Sequence, residues 1–162
     1  MRIWRICRKR HQATAFSGEG ARRGSARWNS AGTPVAYSSE ALSLAAIEYF
    51  VHVDSEDMSN DLVAICAEVP VSFDAVAERK KKMLSTLSEN WKMDIPMTQR
   101  IGDEWAQGLE SLVLPVPSVV IDGEWNVLVN PSHLDAARIK IVEMKPFRFD
   151  ERMFKVRGWS GD

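Results

Sequence analysis

The stretch "PVAYSSEALSLAAIEYFVH", Pro34 to His52, contains the change of pattern that decides the fold. Pro34 opens a short run, Val35-Ala36-Tyr37, that reads as a strand. Ser38 or Ser39 then suits the N-cap of a helix, and Glu40 suits the positive end of its dipole. From Ala41 to Val51 nearly every residue is apolar or aromatic, and a helix that is hydrophobic most of the way round is a buried one. Glu48 breaks that pattern. Its helical neighbours at three and four residues are Leu44, Ala45, Val51 and His52. A carboxylate among them costs free energy unless it meets a cation, a hydrogen-bond donor or a water-filled pocket. Two readings stand: an outward-facing residue on one wet stripe, or an acid held over a pocket.

Outward from this unit, strands and helices alternate. Ile3 to Cys7 is a short first strand, and Leu62 to Val69 is a β-rich core strand ended by Pro70. Pro96 to Gln107 reads as a second helix, with Pro at its first position and Gly108 as its stop. Ser118 to Ile121 and Asn126 to Val129 read as strands around the turn Asp122-Gly123, and Arg138 to Met144 as another. Residues 72–95 are mixed, with a basic run, Arg79 to Lys82, on a solvated face. The pattern is that of one mixed α+β domain over residues 1–162.

The chain of 162 residues is 45% hydrophobic, enough for a real core, and its formal net charge is −1. That near-neutral total hides an asymmetry. Residues 1–30 hold eight basic residues against Glu19 alone, which leaves 13 basic and 21 acidic residues in the rest. A basic end on an acidic body points to an anionic ligand, or to a solvated arm with none. Cys7 and Cys66 have no metal spacing and read as buried free thiols, in keeping with a reducing cytosol. No signal peptide and no membrane-spanning run is visible, so a soluble, cytoplasmic protein is expected.

Residues 8–34 are rich in Gly, Ser, Ala and Arg and form a long connection, which reads as functional or mobile. Within it, Arg27 of Arg-Trp-Asn offers the paired N–H donors that suit a phosphate. Gly18, Gly20 and Gly24 would let backbone approach a ligand closely. The alternative is a surface arginine packed on Trp28, and the glycines match neither a P-loop nor a dinucleotide fingerprint. Tyr37 suits a ring-stacking wall or a core tyrosine equally. His11, His52 and His133 are scattered, so no zinc site is expected. Ser118 in Val-Pro-Ser-Val-Val is no nucleophile elbow. The basic arm lacks a helix-turn-helix or an aromatic RNA-binding strand.

Taken together and in order, "WRI", "FSGEGARRGSARWN", "GTPVAYSSE", "LAAIEYFVH", "TQRIGDEW", "LPVPSVV", "EWNVLVNP", "ARIKI" and "PFRFDERMF" resemble the RES domain, the toxin half of a bacterial toxin–antitoxin pair. The resemblance covers essentially the whole chain. One departure is visible: Ser25-Ala26 stands where the family usually has Gly-Gly before the Arg of Arg-Trp-Asn, which adds two Cβ atoms at the approach to a phosphate.

The resemblance implies a fold related to the ADP-ribosyltransferase toxins and an activity that cleaves the nicotinamide–ribose bond of NAD. Water or inorganic phosphate would accept the ADP-ribose. Transfer to a protein is the alternative, and a non-catalytic NAD-binding module a second one. NAD is then a substrate, with no resident cofactor and no metal. Carried over residue by residue, the site is Arg5, Arg27, Tyr37, Glu48 and Ser118. Glu48 would stabilise the cationic ribose, with Arg27 and Tyr37 beside it. Arg5 and Arg27 would hold the pyrophosphate, Tyr37 would lie against the nicotinamide or its ribose, and Ser118 would bond the nicotinamide end. The implied partner is a cognate antitoxin covering the cleft. Nucleic acid would be met only through that antitoxin, no membrane is involved, and self-association is left open.

Overall fold

The computed structural model describes residues 1–53 and 60–154. A six-stranded antiparallel sheet, in the order β4-β5-β2-β1-β3-β6, carries helices between its strands. β1 (Arg2–Arg8) is central, and its whole length is registered with β3 (Leu62–Glu68), from Arg2↔Glu68 to Arg8↔Leu62. Its other neighbour is β2 (Ala36–Ser39), and there the register holds only at Trp4↔Ser39. The two strands splay beyond that pair, and the opening between them is the origin of the site.

β2 and β3 are both antiparallel to β1, so they run the same way and the connection between them must cross β1. Helix α2 (Leu42–Val51) makes that crossing, with Leu44 and Ala45 fully buried beneath it and Ile6, Leu62 and Ala64 as the apolar floor. Its other side is less buried than the sequence pattern implies. Tyr49 and Phe50 are covered by aromatics of the chain's last described segment, with ring centroids of Tyr49–Phe149 at 6.2 Å, Phe50–Phe149 at 5.6 Å and Phe50–Phe154 at 5.5 Å. A helix apolar all round is thus explained by a sheet on one side and an aromatic clasp on the other. The tail's residues 155–162 lie outside the described residues.

Several boundaries differ from the sequence expectation, each for a physical reason. Ser38 and Ser39 do not cap α2. They are the last residues of β2, registered with Val127 and Asn126 of β5 (Trp125–Val129), and the helix starts from Ala41 without a side-chain cap. The expected strand Ser118–Ile121 is a turn, and the strand is the preceding "VLPVP", β4 (Val113–Pro117). Its two prolines are tolerated because β4 lies at the sheet edge. The mixed segment 72–95 contains helix α3 (Phe73–Thr86), capped by Ser72 Oγ, which accepts from the Ala75 N–H. Its apolar signal is thin because only Val76 and Met83 are fully buried.

Helix α4 (Ile95–Gly108) is capped by Asp94, and its left-handed stop is Leu109 (φ 52°), with Gly108 the last helical residue. β6 is Lys140–Phe147, and Leu134–Arg138 is a turn of 3₁₀ helix ahead of it. The long 8–34 connection is partly ordered into a 3₁₀ turn (Lys9–Thr14) and the short helix α1 (Glu19–Arg23). Cys7 and Cys66 are buried free thiols.

Candidate functional site

The splay of β1 and β2 opens into a cleft of about 650 Å³. Among the described residues, Arg5, Arg8, Arg10 and Arg27 line it, with His11 and His52, against one carboxylate, Glu48. Such a lining favours a polyanion, and it places a single negative charge where a cation could be met.

β1 and α2 supply the two extremes of that charge pattern. Arg5 projects from the central strand, and its Nη1 donates to the carbonyl of Tyr37, which an unbroken β1–β2 ladder would give to a backbone N–H. Its Nε is sealed from solvent and has no hydrogen-bond partner among the described residues. Among the described residues no carboxylate forms an ion pair with Arg5, and burial lowers its pKa from the ordinary arginine value. A desolvated guanidinium without a counter-ion among the described residues is costly, and the cleft beside it is a place where an anion could meet it.

Glu48 is turned into the cleft with its side chain 19% exposed, so it is neither on a wet outer stripe nor in bulk solvent. Its Oε1 accepts from Ser118 Oγ at 2.7 Å and from Asn126 Nδ2 at 2.5 Å. Its Oε2 has His52 Nδ1 at 4.0 Å and no hydrogen bond among the described residues. One oxygen is therefore fixed by the protein, and the other is left to whatever enters.

Ser118 is close to the site but does not face it. Its Oγ accepts the N–H groups of Val120 (3.1 Å) and Ile121 (3.0 Å), which steers its single proton onto Glu48. The hydroxyl thus orients the carboxylate and has no donor left for a nicotinamide amide. Sequence reasoning missed Asn126 and Ser39, whose Oγ donates to Asn126 Oδ1 at 2.6 Å and so sets the amide's orientation. The available signal was a polar pair, Ser39 and Asn126, at the ends of two apolar strands that pair in register.

Tyr37 is among the residues lining the cleft, but its hydroxyl belongs to the Arg-Trp-Asn loop. It accepts from the Trp28 N–H (3.1 Å) and donates to Asn29 Oδ1 (2.9 Å). Burial pushes its phenol well above the ordinary tyrosine value, so it stays neutral. Asn29, fully buried, ties the loop together by donating to the carbonyls of Ala21, Gly24 and Ser30. Trp28 fills the core beside Trp91, ring centroids 5.9 Å apart. Arg27 lines the cleft and donates through Nη1 to the Lys92 carbonyl at 2.8 Å.

The glycines expected at a ligand are elsewhere. Gly18, Gly20 and Gly24 do not line the cleft. Gly18 (φ +72°) is required by fold instead, since a Cβ there would lie 2.7 Å from the Val35 nitrogen. Arg22 and Arg23 are also outside, paired with Glu19 on α1. Among the described residues no helix is long and apolar enough to cross a membrane, and no group of His, Cys, Asp and Glu could hold a metal ion.

The family model of the RES domain matches residues 2–150. This chain belongs to the RES domain family. Full-length relatives agree with that assignment. The RES domain is 30% identical over 160 residues, 97% of this chain and 99% of the other, to a protein of Photorhabdus laumondii named Toxin Res. It is 32% identical over 156 residues (95% and 100%) to a Toxin Res of Pseudomonas putida. A protein of a Sphingobium species named Prs ADP-ribosylating toxin is 31% identical over 157 residues (94% and 96%). Among solved structures, the M. tuberculosis MbcT–MbcA toxin–antitoxin complex contains a chain that superposes with a TM-score of 0.64 at 18% identity, covering 90% of this RES domain and 83% of that chain. At that identity the likeness establishes the fold.

Proposed function

We propose that this RES domain is the toxin of a toxin–antitoxin pair and acts by cleaving the nicotinamide–ribose bond of NAD. The observation that carries the reading is Glu48. Two side-chain donors fix one of its oxygens, and the other is presented in a cleft whose lining also includes four arginines. Breaking the bond from ribose C1′ to the pyridine nitrogen sends the bonding pair to nicotinamide, which leaves neutral. Positive charge develops on the ribose, and a preorganised carboxylate stabilises it more than it stabilises the ground state. Arg5 and Arg27 hold the diphosphate. Water then adds at C1′ and releases a proton, or inorganic phosphate adds as an anion. The relatives named as toxins support the toxin role.

Glu48→Gln tests this, because it keeps the shape of the acid and removes its charge. Purified wild type is expected to consume NAD with water or phosphate as acceptor, and Glu48→Gln to lose about 10²–10³ in kcat. Equal rates in the two proteins would remove Glu48 from the chemistry. Transfer to a protein is the second reading, favoured by the relative named an ADP-ribosylating toxin. Labelled NAD in a cell lysate separates the two: a discrete labelled band supports transfer, and free ADP-ribose or its phosphate alone supports NAD destruction. A cognate antitoxin covers the cleft in this reading, which the fold shared with a chain of a toxin–antitoxin complex supports. Crosslinks to an antitoxin confined to residues after Pro146 would contradict that placement.

A further inference from the structure

The segment "TQRIGDEW", residues 98–105, contributes no residue to the cleft lining, yet one face of it grips the loop that carries Arg27. Thr98 Oγ1 donates to the Arg27 carbonyl at 2.7 Å, Gln99 Nε2 to the Ala26 carbonyl at 2.9 Å, and Asp103 Oδ1 accepts the Ser30 N–H at 3.0 Å. Between these contacts the Trp28 carbonyl lies so close to Gly102 that a Cβ there would be 1.8 Å from its oxygen. Residues 98, 99, 102 and 103 share one helical face, and they meet loop residues 27, 26, 28 and 30 in turn.

Thr98 is fully buried, and the Arg27 carbonyl is the nearest of three acceptors around its single proton, ahead of Ile95 O at 2.9 Å and Asp94 O at 3.3 Å. No other donor reaches that carbonyl among the described residues. We infer that α4 is a positioning element for Arg27, with Thr98 the residue that fixes the guanidinium's reach into the cleft and so sets affinity for the diphosphate without touching it. This rests on the reading that Arg27 binds the substrate's phosphates. A displacement of about 1 Å at a charge-binding group is enough to lose much of its contribution.

A double-mutant cycle read by calorimetric titration with ADP-ribose tests the inference. Thr98→Val, which keeps the volume and removes the hydroxyl, is expected to weaken binding about tenfold, and Thr98→Ser to stay within about twofold of wild type. In an Arg27→Ala background, Thr98→Val is expected to add less than about twofold, because the group it positions is gone. Gln99→Ala, which frees the Ala26 carbonyl at a partly exposed site, runs through the same cycle and serves if Thr98→Val does not fold. A Thr98→Val protein that binds as wild type overturns the inference. So does a loss of the same size with and without Arg27, which would mean general loosening. Wild type that binds no ADP-ribose overturns the reading of the cleft itself, and this inference with it.

Discussion

Tyr37 illustrates how much the exact use of an atom matters at the residue scale. The residue lines the cleft, and its hydroxyl is spent on Trp28 and Asn29. Tyr37→Phe is therefore expected to keep NAD turnover within several-fold of wild type and to lower stability by about 1–2 kcal/mol, since it strands a buried amide oxygen and a backbone N–H. Chemical denaturation beside kinetics checks this, and a large loss of kcat with unchanged stability would return the hydroxyl to the reaction. Ser25 and Ala26 give the converse lesson. Their Cβ atoms depart from the family's Gly-Gly, but Leu109 is the only described non-glycine residue with a positive φ. Neither position demands a conformation reserved for glycine, so this departure carries no backbone strain.

Elements decide which of these residues meet. The crossover of α2 over β1 brings Glu48 to the splay of the central strands, and α4 holds the loop opposite. Asp103 shows this second support in its titration. Burial alone would raise its carboxyl, but hydrogen bonds from Ser30 and Thr33 outweigh it and hold the pKa below the usual aspartate value. A lowered folded pKa means that its stabilising effect is complete above the unfolded value near 3.9 and is lost as pH falls through the folded one. Wild type is expected to be more stable than Asp103→Asn at pH 6, with the gap closing toward pH 3 in urea unfolding. A gap independent of pH would show that the carboxylate charge is not what holds Ser30.

Much at this scale was legible in the residues. The strand at Ile3–Cys7, the core strand from Leu62 and the Pro-started helix have strong local signals and stand within a residue or two of their expected limits. The misreadings came where tertiary context overrides local preference. Two serines well suited to capping pair with β5 instead, and prolines that argue against a strand sit on an edge that tolerates them. Of the five residues that the resemblance named, Arg5, Arg27, Tyr37 and Glu48 line one cleft and Ser118 does not. The roles of Asn126, Ser39 and Thr98 were not legible, because each depends on a partner 70 or more residues away in the chain.

For the whole molecule, a net charge of −1 conceals a cleft to which the described residues contribute four arginines and a single acid. Inorganic pyrophosphate, carrying only the diphosphate part of the substrate, should therefore bind without nicotinamide. At a hundredfold excess over its Kd it is expected to stabilise wild type by about 2.7 kcal/mol, roughly 5–10 °C in Tm, and to stabilise Arg5→Met much less. An equal rise in both proteins would move the anion away from Arg5.

The arginines that line the cleft have a practical consequence for anyone assaying this protein. On the proposed reading of the site, they draw in whatever small oxyanion the buffer offers. Inorganic phosphate would then act twice, occupying the pocket as a competitor while also serving as the attacking partner. Hydrolysis and phosphorolysis can be compared fairly only with sulfate balancing the phosphate-free arm, because otherwise simple crowding of the pocket will pass for a preference in chemistry.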